Sequence, residues 1–173
     1  MSVKVIAAPG YGFSPDTKDG RIKNASGGPR VKGEVLMLDL GDTTTSTDTD
    51  TAEGDTSSGY ANGILPATVG IGSLSGAANP RPGYIFGVIL DDTVADGAVC
   101  NVRWKGFCDV SVTADAATIG VGMFPANGVA TLTATIAAGV KCLAILRQAN
   151  GSAVGVLPCY FNGIEGWGHM AVS

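Results

Sequence analysis

Residues 83–113, GYIFGVILDDTVADGAVCNVRWKGFCDVSVT, decide the fold class. Residues 84–90 are apolar throughout, and such a short run predicts a strand that is buried on both faces. Residues 99–104 and 107–113 alternate between apolar and polar side chains, which is typical of half-buried strands. The pair Lys105-Gly106 between them predicts a bend or a bulge.

Further short apolar runs follow, cut by turn residues at close intervals. Asn-Gly pairs at 127–128 and 150–151 indicate hairpin turns. Helical patterns are scarce. About seven strands within roughly 80 residues predict an all-β fold, a compact antiparallel β-barrel or sandwich with an extended N-terminal arm and long Gly/Pro-rich loops. The additional strands are predicted at 121–124, 129–134, 141–147 and 154–161.

The charge divides the chain into unequal parts. Residues 1–33 carry a balance of +4, residues 34–59 carry −7 and the remainder carries −1, which gives the net charge of −4. We therefore expect four regions. They are an extended basic arm at 1–33, a strand with an acidic Thr/Ser/Asp-rich loop and a long connection at 34–82, a β core at 83–161, and a C-terminal tail at 162–173.

The high Gly and Pro content of residues 1–33 indicates an arm that becomes ordered on a partner and contributes no core element. Its aromatic residues would bury their rings in a groove of the partner, and its cations would lie near carboxylates. Six basic residues spread over 33 residues of an acidic protein fit nucleic acid poorly, and a solvated charged segment without a partner is the other interpretation. The candidate contact residues are Tyr11, Phe13, Arg21, Lys23, Arg30 and Lys32.

The sequence offers little for chemistry. His169 is the only histidine, and the four cysteines contain no C-x-x-C pair, so we predict no catalytic, cofactor or metal site and expect a protein that is not an enzyme. The cysteines are expected to be buried free thiols. No signal peptide or apolar run of spanning length is visible, so we expect synthesis in the cytoplasm and no membrane association.

Part of the sequence resembles the small β decoration or cement proteins of tailed-phage heads. The similarity is greatest at 83–113 and extends loosely over 31–147, through the strand and turn Ile85 to Gly97, the strand that follows it, and Ile119-Gly120-Val121-Gly122. The closing strand reads Ala144-Ile145-Leu146 and lacks the glycine of the family pattern.

The resemblance implies a structural virion protein that binds the outer surface of a phage head and stabilises it against the pressure of packed DNA. It implies the major capsid protein and further copies of this chain as partners, in a homotrimer or a homodimer. It implies location on the capsid surface after synthesis in the host cytoplasm. From the spread of the basic residues, we expect no direct contact with nucleic acid.

Two other functions remain open from the sequence. A carbohydrate-binding or adhesive β-module is favoured if Trp104, Trp167 and Tyr160 line one exposed face. An enzyme subunit with an active site between chains would need His169 or the acidic loop near a cleft. We also expect Trp167, in the tail, to dock on its own barrel or on a neighbouring subunit.

Overall fold

The computed structural model describes residues 17–38, 60–66, 85–113, 119–126, 128–135, 141–149 and 154–167. Every regular element in these residues is a β-strand, which confirms the predicted all-β fold. In this part of the chain, no helix is long and apolar enough to cross a membrane.

Eleven strands are present in the described residues, and most of the predicted ones are confirmed within a few residues. In chain order they are β1 Lys18–Asn24, β2 Arg30–Val31, β3 Val35–Leu38, β4 Asn62–Ile64, β5 Phe86–Ile89, β6 Thr93–Val94, β7 Val99–Val112, β8 Gly122–Pro125, β9 Leu132–Thr133, β10 Ala144–Leu146 and β11 Gly155–Asn162.

Nine of the strands form two closed rings that share β7. The first ring runs β1-β4-β3-β5-β7 and closes by pairing of β7 with β1, and the second runs β7-β11-β10-β8-β9 and closes by pairing of β9 with β7. The remaining strands, β2 and β6, form a separate antiparallel pair. The architecture is therefore two small barrels fused along one strand, which leaves few open sheet edges.

The shared strand β7 is 14 residues long and irregular near its middle. Lys18 pairs with Lys105 whereas Asp19 pairs with Arg103, so Trp104 is an extra residue opposite β1. Gly106 follows with a φ of 125°. The predicted irregularity is therefore present, but it lies at Trp104, one residue before Lys105-Gly106, and the two strands predicted on either side are one continuous strand. The bulge lies where the strand passes from one barrel to the other.

Each barrel has its own hydrophobic core. The first core includes Ile22, Cys100 and Val102, and the second, larger core includes Val110 and Phe161. Strands β3 and β5 contribute to both cores, because alternate side chains along a strand point to opposite faces. All four residues of β5 are buried, which confirms the prediction of a strand buried on both faces.

Two strand pairs depart from the predicted antiparallel arrangement. Strand β1 pairs in parallel with β4, and β7 pairs in parallel with β9. Parallel neighbours need a long connection, and both pairs join strands that are far apart in sequence. The sheet is consequently mixed, and the parallel pairs help to close each ring.

The predicted arm at 1–33 is partly wrong, because its residues 18–24 form β1, an integral strand of the first barrel. Ile22 is 1% exposed in the first core. A Cβ at Gly20 would lie 2.3 Å from Nε1 of Trp104, so this glycine makes room for the indole ring. The prediction treated the glycines of this segment as evidence for an arm outside the core. In the structure, Gly20 instead permits close packing.

The long connection predicted within 34–82 also contains a strand, β4. A Cβ at Gly63 would lie 2.5 Å from Cδ1 of Ile22, so the glycine again allows a core side chain to approach the backbone closely. The acidic loop at 41–59 and residues 1–16 lie outside the described residues.

Candidate binding surface

Three aromatic side chains form a continuous row where β7 pairs with β11. Phe107 lies directly opposite Tyr160 in the register, and their ring centroids are 4.7 Å apart in an edge-to-face arrangement. Tyr160 contacts Trp167 in turn, with centroids 4.6 Å apart. This aromatic row comprises Phe107, Tyr160 and Trp167, and Trp167 is 38% exposed.

The turn after β11 holds Trp167 at the end of the row. The backbone N–H of Trp167 donates to the carbonyl of Cys142 at 3.0 Å, and Lys141 Nζ donates to the carbonyls of Gly163 and Ile164 at 3.3 and 2.9 Å. Burial lowers the pKa of Lys141 to about 8. Trp167 therefore docks on its own barrel, as one of the two predicted alternatives stated.

A guanidinium group covers the other end of the row. The Cζ atom of Arg147 lies 4.6 Å from the centroid of the Phe107 ring, within the range of a cation–π interaction. The backbone N–H of Arg147 donates to the carbonyl of Pro158 at 3.0 Å. These contacts fix the base of the arginine beside β11 and direct its side chain over β7.

A second arginine is held by an ion pair between β1 and β7. Arg103 donates from Nε to Oδ1 of Asp19 at 2.7 Å and from Nη2 to Oδ2 at 2.9 Å, and its Nη1 donates to the carbonyl of Phe107 at 2.5 Å. The hydrogen bonds from Arg103 hold the pKa of Asp19 below its ordinary value. The guanidinium of Arg103 is thus fixed in position beside Phe107.

The two arginines border an open groove of about 460 Å³, which we call the cationic groove. This volume lies within the range of small-ligand sites, roughly 300–1,000 Å³. Strands β7 and β11 supply the floor of the groove, and Lys32, in the turn after β2, supplies a third cation. The groove is lined by Lys32, Leu90, Arg103, Phe107, Cys108, Asp109, Arg147, Pro158 and Cys159.

The cysteines are unlike reactive thiols. All four are free, and Cys100, Cys142 and Cys159 are buried while Cys108 is half-buried, so the predicted burial is confirmed for three of them. Burial raises the pKa of both Cys108 and Cys159 to about 12 and that of Cys100 to about 11. These thiols remain protonated at neutral pH.

The structure separates the candidate contact residues. Tyr11 and Phe13 lie outside the described residues. Arg21 and Lys23 are on β1, where Arg21 Nη1 donates to the hydroxyl of Tyr60 at 3.1 Å. Arg30 lies on β2 and its Nε donates to Ser26 Oγ at 2.7 Å. Among the four candidates that the structure describes, only Lys32 lines the cationic groove, and a role of these residues in capsid contact stays a prediction.

The aromatic face proposed for a carbohydrate-binding module is present in part. Tyr160 and Trp167 are in contact, but Trp104 packs against the first core. Phe107 takes the third place in the row. The sequence does place Phe107 on the same side of its predicted strand as Asp109, because alternate residues of a strand share a face.

Within the described residues, no group of three or more His, Cys, Asp or Glu side chains is placed to hold a metal ion. No family model matches the sequence, and no curated protein matches it. Among solved structures, the chain is similar to the head fiber gp8.5 N base of bacteriophage phi29. That match has a TM-score of 0.48 and 8% sequence identity, and it covers 88% of this chain and 99% of the other.

Proposed function

We propose that this protein is a structural virion protein of a tailed bacteriophage, a decoration protein that binds the outer surface of the head and stabilises the shell. Its partners would be the major capsid protein and other copies of this chain, in a homotrimer or, alternatively, a homodimer. It would act on the capsid surface without catalysis, after synthesis in the host cytoplasm.

The observation that carries this proposal is the position of the segment that resembles phage decoration proteins. Residues 85–113 form β5, β6 and β7, and β7 is the strand that both barrels share. The resemblance therefore lies in the part of the chain that organises the whole fold.

The shape of the fold also suits a protein that reinforces a shell. Two cores packed on either side of β3 and β5 form a rigid body. Arg21 is exposed on β1, and Tyr11 and Phe13, which precede it in sequence, would add contacts to the same partner. Several weak contacts on a repetitive shell add up through multivalency.

The bounds of β1 define the test. A variant lacking residues 2–16 retains every described strand, and we expect it to fold but to bind expanded heads that lack this protein at least about tenfold more weakly than the full chain. A deletion of residues 2–30 removes β1 and is expected to unfold the first barrel, so it cannot serve as the test. Cosedimentation with heads measures binding, and circular dichroism checks the fold.

A double variant, Arg21→Gln with Lys23→Gln, tests the cations in the full chain, and Lys18→Gln on the same strand is the charge control. We expect weaker cosedimentation for the double variant and unchanged cosedimentation for Lys18→Gln. If the deletion of residues 2–16 binds heads as well as the full chain, the arm is not the contact. If the full chain itself does not bind heads, the proposed function is wrong.

A further inference from the structure

The cationic groove contains basic groups that no acidic group in the described chain neutralises. Arg103 is paired with Asp19. Within the described residues, by contrast, no carboxylate lies within ion-pair distance of Lys32 or Arg147. Lys32, in the turn after β2, and Arg147, directly after β10, line the same groove, so a carboxylate bound there would meet two charges.

Arg147 is also prepared for such a ligand. Its guanidinium lies over Phe107 at 4.6 Å, and stacking on an aromatic ring restricts the side chain while its N–H groups remain available at the edge. Because little rotamer freedom would be lost on binding, the arginine is preorganised for a planar acceptor.

The groove carries one acid as well, and this restricts the ligand. Asp109 is exposed and lines the groove. Its carboxylate would repel a densely charged polyanion, but it can accept hydrogen bonds from hydroxyl groups. The combination favours a ligand that has both carboxylates and many hydroxyls.

The aromatic row adjoins the groove through Phe107, which belongs to both. Trp167, at the far end of the row, is 38% exposed, and Tyr160 is half-buried beside it. The C–H groups on one face of a sugar ring are weakly positive, and they pack well on the negative face of an aromatic ring. A ligand longer than one sugar would extend from the groove along this row.

We propose that the cationic groove binds acidic polysaccharide through a uronic acid residue. Lys32 and Arg147 would bind the sugar carboxylate, Asp109 would accept hydrogen bonds from hydroxyls, and Trp167 would pack against the next sugar ring. The activity is distinct from head binding and does not depend on it, although Lys32 is also one of the candidate capsid-contact residues.

The probe is a trimer of galacturonic acid, titrated by calorimetry into the full-length protein at low salt. We expect binding, with an affinity at least about tenfold greater than that of the methyl-esterified trimer, because the ester removes the charge but keeps the sugar. A trimer of glutamic acid has the same charge without the rings and is expected to bind at least about tenfold more weakly.

Variants then locate the site. Arg147→Gln should weaken binding about tenfold or more, Trp167→Ala should also weaken it, and Lys18→Gln on β1 should leave it unchanged. Because Arg147 and Trp167 are exposed side chains, both variants should fold, which circular dichroism verifies. Amide NMR shifts on adding the trimer should be concentrated near Asp109, Arg147 and Tyr160.

Several results would overturn the proposal. Equal binding of the esterified trimer means that the cations do not recognise the ligand. Equal binding of the glutamate trimer means that the groove is a site for acidic peptide, and no binding at ~10 mM trimer means that there is no sugar site. Shifts confined to residues outside the groove would contradict the assignment in the same way.

Discussion

Asp19 and Arg103 form a two-contact ion pair that ties β1 to β7 at the rim of the groove. The carboxylate of Asp19 accepts from Nε and Nη2 of Arg103 at 2.7 and 2.9 Å. The same guanidinium donates to the carbonyl of Phe107, so one residue links the closing strand of the first barrel to the aromatic row.

This pair makes stability depend on pH. Because hydrogen bonds from Arg103 lower the folded pKa of Asp19 below its ordinary value of 3.8, the pair contributes fully above that value and its contribution is lost as the pH falls through the lowered pKa. Asp19→Asn should reduce the free energy of unfolding at pH 7 by about 0.5–1 kcal/mol, since the carboxylate is partly exposed.

Urea unfolding of both proteins between pH 7 and pH 2 measures the effect. The difference in the free energy of unfolding between wild type and Asp19→Asn should become smaller as the pH falls towards 2. A difference that stays constant over this range would mean that the ionised carboxylate contributes nothing and that Arg103 is held by other contacts.

At the scale of strands, the first barrel closes through glycines packed against large side chains. Trp104 lies against Gly20 on β1 and against Gly87 on β5, where an added Cβ would come within 2.3 and 3.0 Å of the indole. The strands can therefore approach the ring closely, and the extra residue of the β7 bulge is the one that occupies this space.

Gly20→Ala should consequently strain the closure of the first barrel. We expect a loss of about 1–3 kcal/mol in the free energy of unfolding, typical of overpacking, together with a shift of the fluorescence of Trp104. Gly28→Ala is the matched control, because a Cβ there meets only Arg30 Nη2 at 3.4 Å. Equal stability of the two variants would show that Gly20 does not set the approach of β1.

The glycine contacts also explain what could be predicted from sequence. The strands β5, β7, β8 and β11 were predicted because their apolar or alternating patterns are local. The strands β1 and β4 were missed because Gly20 and Gly63 interrupt the pattern for packing reasons that depend on distant residues. The sequence likewise did not predict that parallel pairs close the rings, because the paired strands are separated by long connections.

The aromatic row was only partly predictable for the same reason. Tyr160 and Trp167 were singled out in the sequence, but their proximity to Phe107 arises from the register of β7 with β11. Local patterns specify which face of a strand a residue occupies, while pairing between strands decides which faces meet.

For the whole molecule, the shared strand predicts that both barrels unfold together. Leu132→Ala lies in the second core and should cost about 2–5 kcal/mol. In a Trp167→Phe background Trp104 is the only tryptophan, and it reports on the first core. Its fluorescence transition in urea should shift to lower concentration on adding Leu132→Ala, in step with circular dichroism.

A separate transition for each barrel would contradict this coupling. If the transition of Trp104 keeps its midpoint while circular dichroism separates into two steps, the barrels are independent units, and β7 does not couple them. The rigid body on which the proposed role in the shell depends would then be absent.

The central claim is that this protein is a structural component of a phage head, and its copy number in purified virions tests that claim most directly. Quantitative mass spectrometry of virions should find the chain at a number comparable to that of the major capsid protein, as expected for a decoration protein on a repetitive shell. Absence of the chain from purified particles would contradict the account.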